Sequence, residues 1–481
     1  MKTKTKYIIL TIFGSAKIFA QIPNFPTPQQ PNPNSLFEQP KIGTQTESKN
    51  LPSIPSSWKN PNASNIEKMN QKMVQEDFKR VEQEQRETTQ RKIQEQLGND
   101  YAKTYSLNSF SDNAETKAYH SAFENLSKLN PDNYSITDAT FLVENAFYNN
   151  DKNFQNTYQN YIQKATKIIR SEISKKKITD NDNPSKNIEI FKYFSQDSKQ
   201  NGKVVHKAMK YDFDDYFGTK DYSKMFVSKL MKTNSGQCHS MPLLYLILAE
   251  QLGAKANLVM SPNHSYIRFV DSEGEMQSVE LTNGMFSTDT FVLNSGYIKS
   301  EGLQSGIYMK NLSEKELLSQ TFVDLASGYI HKFGYDEFVA KVLEKALELN
   351  PNNVNASAWK SNTDQTRFAQ VTKRLGFNLQ SEEDFENMKK NPYLVGQMLE
   401  IKHGHEKIEK AGYSTMSAEE YSTWLGSLKQ GENKQKNQEI AERLRTLELQ
   451  RQKEASKKPV PKTIQPKKEA PKTYVIPKEY L

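Results

Sequence analysis

The chain's single cysteine, Cys238, lies in a polar run, Asn234-Ser235-Gly236-Gln237-Cys238-His239-Ser240. An apolar stretch follows, with Leu243, Leu244, Leu246, Ile247, Leu248 and Leu252. Gly253 comes next, the residue type favoured where a helix ends in the left-handed conformation. Pro242 is tolerated only in a helix's first turn, so the helix is expected to begin near Cys238 or His239. A thiol placed there meets the positive end of the helix dipole and backbone N–H groups without intrahelical partners. The first favours a thiolate, and the second can hold an oxyanion. The Cys238 backbone N–H is the expected oxyanion donor, with Gln237 beside it.

A thiol nucleophile also needs a base. His264 opens a strand-like run, His264 to Val270, and Met276 to Leu281 reads as the returning strand. A three-residue loop, Ser272-Glu273-Gly274, with Gly274 at positive φ, would pair Tyr266 with Glu280 and His264 with Thr282. Glu280 and His264 then share a face as diagonal neighbours, with Cβ atoms roughly 7–8 Å apart. A two- or four-residue loop would turn Glu280 to the other face. The chemistry assigns Cys238 as nucleophile, His264 as base and then acid, and Glu280 as the acceptor that fixes the imidazole tautomer. Asp271 and Asn283 are alternative partners for His264. His239 adjoins the cysteine, but neighbours at a helix start point apart, so it is not expected to be the base. His403-Gly404-His405 has no cysteine or acidic cluster at metal-ligand spacing and reads as a solvated loop. No metal and no other cofactor is expected.

Gly236-Gln237-Cys238, an apolar helix closing at Leu252-Gly253, Asn263-His264-Ser265-Tyr266 and Val279-Glu280-Leu281-Thr282-Asn283-Gly284 follow one another in that order. This resembles the active-site segment of transglutaminase-like proteins, clearly over 234–284 and loosely over 190–310. The resemblance implies a papain-like α+β core, acyl transfer on amides, and a peptide or protein substrate. Three features depart from the family pattern. His239 stands where an aromatic residue is usual, Glu280 stands where Asp is usual, and the Cys-to-His interval of 26 residues is short. A branch of the same superfamily joins this domain to tetratricopeptide-type helices and often lacks catalysis. It implies a second reading, a non-catalytic scaffold whose helical repeats bind protein partners.

The flanks carry helical periodicity. Over 114–172, Ala118, Ala122, Phe123 and Leu126 line a first helix, Phe141, Leu142, Ala146 and Phe147 a second, and Tyr158, Tyr161, Ile162 and Ala165 a third. The first is expected to stop at Leu129-Asn130-Pro131-Asp132-Asn133, because Pro131 disfavours helix at the residue before it. Over 314–350, Phe322, Leu325, Ala326 and Tyr329 line one helix and Phe338, Val342, Leu343, Ala346 and Leu347 the next. That pair ends at Leu349-Asn350-Pro351-Asn352-Asn353, nearly the same stop. The repetition fits a tetratricopeptide-type pair and equally an ordinary helical hairpin.

Composition sets the outer limits. Only 35% of the 481 residues are hydrophobic, so a globular middle with polar ends is expected. Residues 1–20 read as a signal peptide, with Lys2, Lys4 and Lys6 before an apolar stretch and Ala20 before a cut. That stretch is too short to span a bilayer, and no later window has the length of a transmembrane helix. A secreted or periplasmic location follows. Residues 21–62 read as a disordered Pro/Asn/Gln-rich linker, and 63–97 as a charged, partner-seeking helix. Helical hairpins are expected over 98–189, the transglutaminase-like domain over 190–310, and tetratricopeptide-like helices over 311–430. A charged helix and a Pro/Lys-rich disordered tail complete the chain over 431–481. The net charge of +8 gathers largely in that tail, without the aromatic-interleaved basic motif of a specific nucleic-acid binder.

Overall fold

The structure, a computed structural model, describes residues 104–293 and 297–430, with Arg80 and Arg445 as single helical positions. The expected signal peptide at 1–20, linker at 21–62, charged helix at 63–97 and charged tail at 431–481 lie outside the described residues, those two positions apart. The described chain mixes helix and sheet, an α+β arrangement in the broad sense.

Four helices open it: α1 (Thr116–Ser127), α2 (Ile136–Phe147), α3 (Phe154–Lys175) and α4 (Asn183–Ser195). The small strands β1 (Ser198–Gln200), β2 (Lys203–His206) and β3 (Lys210–Tyr211) follow, then α5 (Val227–Thr233) and β4 (Ser235–Gly236). Next comes α6 (Ser240–Leu252), and after it β5 (Asn257–Ser261), β6 (His264–Val270), β7 (Met276–Glu280) and β8 (Met285–Ser287). Two short helices, α7 (Asp289–Leu293) and α8 (Ser300–Gln304), lead to α9 (Glu314–Phe333), α10 (Glu337–Leu349) and α11 (Val354–Arg374). The last described helices are α12 (Glu382–Met388), α13 (Pro392–Lys410) and α14 (Ala418–Gln430).

Helix α6 is apolar on all sides and buried accordingly. It packs against α2, α3, α4 and α5 and against strands β5 and β6. Strands β5 to β8 form an antiparallel meander in sequence order. Pro262 and Asn263, the latter at φ 56°, turn β5 into β6, so Ser261 pairs with His264. The next turn holds Ser272-Glu273-Gly274, with Gly274 at φ 87° and Asp271 N–H donating to the Glu275 carbonyl at 2.9 Å. Ile267 therefore faces Val279, and Val270 faces Met276. Extended by one position, that register sets Tyr266 opposite Glu280.

The two helix pairs with similar stops meet in space. Tyr119, Phe123 and Val143 of α1–α2 join Phe322, Tyr329, Phe338 and Leu343 of α9–α10 in one buried cluster, which Ala356 and Trp359 of α11 complete. Tyr119 meets Tyr329 edge to face at 5.4 Å between ring centroids, a geometry worth about 0.5–1.5 kcal/mol beyond area burial. The stops are also built alike. Asn130 Oδ1 accepts from Asp132 N–H and Asn350 Oδ1 from Asn352 N–H. Ser135 then caps α2 and Asn353 caps α11. Everything from α3 to α8 is inserted between the two pairs.

Two carboxylates, Glu250 half-buried and Glu144 buried, tie this helical cluster to α6 and α5. Glu250 of α6 accepts from the N–H groups of Ile136 and Thr137 at the start of α2, at 2.7 and 3.0 Å. Glu144 of α2 accepts from Val227 and Ser228 N–H at the start of α5, at 2.7 and 3.0 Å. Each fills donors that a helix start leaves unpaired.

His403-Gly404-His405 lies inside α13, not in a loop. Asn391 caps that helix, Pro392 opens it, and Leu394 and Ile401 are buried on it; packing against α11 overrides the weak helix preference of Gly404. Among the described residues no helix is long and apolar enough to cross a membrane.

Glu144 supplies a test of this framework. Burial pushes its carboxyl from 4.5 up to about 7 despite the N–H bonds from Ser228 and Val227. The folded state then holds a proton that the unfolded chain releases, so this group's contribution to stability falls as pH rises from 4.5 to about 7. Urea unfolding should show that slope in the parent and lose it in Glu144→Gln. Glu144→Ala, which orphans both N–H groups, should cost about 2–3 kcal/mol.

Candidate active site

Cys238 stands two residues ahead of α6, in a turn that already bonds like a helix: Met241 N–H donates to the Gln237 carbonyl at 3.0 Å. Ser240 Oγ accepts from Gln237 N–H at 3.0 Å and tightens the same turn. The Cys238 carbonyl accepts from Ser265 Oγ at 2.5 Å, which fastens the turn to β6 beside His264. Cys238 is half-buried as a residue.

His264 and Glu280 are both about 5% exposed, and the imidazole Nε2 lies 2.6 Å from Glu280 Oε2. Glu280 Oε1 accepts from Thr282 N–H at 2.8 Å, so both carboxylate oxygens are held. With Nε2–H donating to Glu280, the imidazole nitrogen left for Cys238 is Nδ1, which is buried and has no hydrogen-bond partner. The two other candidate partners are placed elsewhere. Asp271 caps its own hairpin, accepting from Glu273 and Glu275 N–H and from the Gln277 side chain. Asn283 makes no bond to His264, and its Oδ1 is buried without a partner.

The charges support one another. Burial alone would push the Cys238 thiol up, but the neighbouring His264 holds it below its ordinary value, helped by Tyr421 and His239. Burial would push His264 down, but the charge and hydrogen bond of Glu280, with Cys238 alongside, raise it well above the usual imidazole range. Burial would raise Glu280, and the charge and hydrogen bond of His264 keep it low. All three shifts run in the direction of a thiolate–imidazolium pair.

Gln237 is fully buried, and its Nε2 donates to the Asp215 carbonyl at 2.9 Å. Its side chain holds the loop at 215 and does not line the cleft at Cys238. Three groups at the site had no sequence signal. Tyr421 Oη of α14 donates to Cys238 Sγ at 3.2 Å and lies 3.0 Å from Tyr211 Oη. Trp424, one turn further, sets its ring edge against His264 at 4.7 Å between centroids. Asp324 of α9 lies 3.3 Å from His239 Nε2, and both line the cleft of about 150 Å³ that reaches Cys238 and His264. Only the short apolar spacing of Tyr421, Trp424 and Leu425 could have marked a docking helix. Nothing in it points to the thiol. Among the described residues no cluster of His, Cys, Asp and Glu could hold a metal ion.

No model of a known protein family, no curated protein and no solved structure matches the chain.

Glu280→Gln keeps the size of the acceptor and removes its charge. The His264 pKa should fall, the thiol pKa should rise, and alkylation at pH 6 should slow about tenfold per unit of rise. Tyr421→Phe should move the thiol in the same direction by less, since its hydrogen bond is a smaller influence than His264. The pH profile of iodoacetamide alkylation reads both.

Proposed function

We propose that the chain is an exported, transglutaminase-like cysteine hydrolase or acyltransferase with a papain-like core, acting on peptide or glutamine side-chain amides. The observation that carries the reading is the line from Cys238 through His264 to Glu280, closed by the 2.6 Å bond between imidazole and carboxylate. The thiolate adds to the amide carbon, and the carbonyl electron pair moves onto oxygen. As that pair returns, the C–N bond breaks and His264 gives its proton to the departing amine, leaving a thioester on Cys238. Water or a second amine, deprotonated by the now neutral His264, adds to the thioester and restores the thiol. Hydrolysis is preferred over cross-linking. Export rests on the basic and apolar residues of 1–20.

One observation favours a second reading, a non-catalytic scaffold that binds protein partners. Tyr421 and Trp424 of α14 rest directly on the nucleophile and the base.

Thiol alkylation separates the two. In the parent, Cys238 should react rapidly below pH 7, and His264→Ala should slow it at least tenfold there. Incubation with a glutamine-rich protein and hydroxylamine should release ammonia and form hydroxamate, and Cys238→Ala should abolish both. A thiol that titrates near about 8.5 in parent and variant alike would establish the scaffold.

A further inference from the structure

Cys238 is served by His264 from the sheet, but a second imidazole lies beside it. His239 is the next residue in the chain, and it lines the same cleft as the thiol. Its Nε2 lies 3.3 Å from Asp324 Oδ2 of α9, in the helical cluster that frames the insertion. The other oxygen of that carboxylate, Oδ1, accepts from Gln320 Nε2 at 3.1 Å, and Gln320 Oε1 accepts from Asn355 Nδ2 at 3.2 Å. A ladder of three side chains thus ends on the residue next to the nucleophile, and both oxygens of Asp324 are engaged.

We propose that His239 is a positioning residue for Cys238, held by Asp324 as a cation on the cleft side of the thiol. The inference rests on the cysteine-enzyme reading above. It divides the work between two histidines. His264 must shuttle its proton to the leaving group and take one from the incoming nucleophile. His239 keeps its proton throughout, so the site retains a positive charge beside the sulfur and the developing oxyanion whatever the state of His264. The groups facing His239 are Asp324 from α9, Glu144 from α2 and the Cys238 thiol, with Tyr222 next to Asp324. Burial pushes His239 down, but Asp324 first, then Cys238 and Glu144, carry it above its ordinary value.

The test is the pH profile of iodoacetamide alkylation of the full chain. It compares the parent with His239→Gln, Asp324→Asn, the double variant and Asp324→Glu, with thermal melts to show that each is folded. His239→Gln and Asp324→Asn should each move the acid limb upward and slow alkylation at pH 6 about three- to tenfold. The double variant should move it no further than His239→Gln alone, and Asp324→Glu should restore most of the parent profile. Folded His239→Gln and Asp324→Asn proteins with the parent's profile, in a protein whose thiol still depends on His264, overturn the role of His239 and leave the Cys–His–Glu reading standing. A parent thiol with an ordinary profile that ignores His264→Ala overturns both.

Discussion

An imidazole and a carboxylate taken out of water on adjacent strands hold each other only if the backbone brings them together. The desolvation cost of two buried charges is several kcal/mol each, and their attraction offsets it only with good geometry and with the remaining oxygens occupied. His264 and Glu280 meet both conditions: the Nε2–Oε2 bond is 2.6 Å, and Thr282 N–H takes the second carboxylate oxygen. The hairpin between β6 and β7 is what makes this possible, because one residue more or less in its loop would send Glu280 to the opposite face. The lowered pKa of Cys238 depends in turn on His264, so the electrostatics of the cleft are set by the register of a single hairpin.

The helical cluster contributes more than support. Phe322, Val323, Leu325 and Ala326 of α9 are buried in the core shared by α1–α2 and α9–α11. Asp324, among them in sequence, lies against His239. The packing that stabilises the flank is therefore the packing that fixes a carboxylate beside His239, the neighbour of Cys238. Glu144 and Glu250 lock the same flank to α5 and α6 through helix starts, so the cleft is walled by elements with little freedom to drift.

What could be read from the sequence was local. The spacing of apolar residues located α1, α2, α3, α9 and α10, and Gly274 fixed the loop length that aligns Glu280 with His264. The thiol's place before an apolar helix was visible from Pro242 and Gly253. The hidden parts were those that only docking decides. Gln237 donates through Nε2 to the Asp215 carbonyl, a contact 22 positions away that its own neighbourhood does not announce. Tyr421 reaches Cys238 across 183 positions and Asp324 reaches His239 from another segment altogether, so no local period records either contact. The histidines at 403 and 405 read as a solvated loop because no ligand-type residues stand near them, but packing against α11 places them within a helix.

The insertion has a consequence for the order in which the molecule assembles. Helices α1 and α2 bury their apolar face on α9 to α11, and the bond from Tyr134 to the Glu314 carbonyl closes a loop of 180 residues. The inserted sheet closes through neighbouring strands, whereas the helical cluster requires a distant closure that pays chain entropy before any contact rewards it. A growing chain therefore exposes Tyr119, Phe123 and Leu126 until synthesis has passed Trp359. Closure by α9 to α11 is therefore the step that commits the helical cluster, however early the inserted sheet has formed.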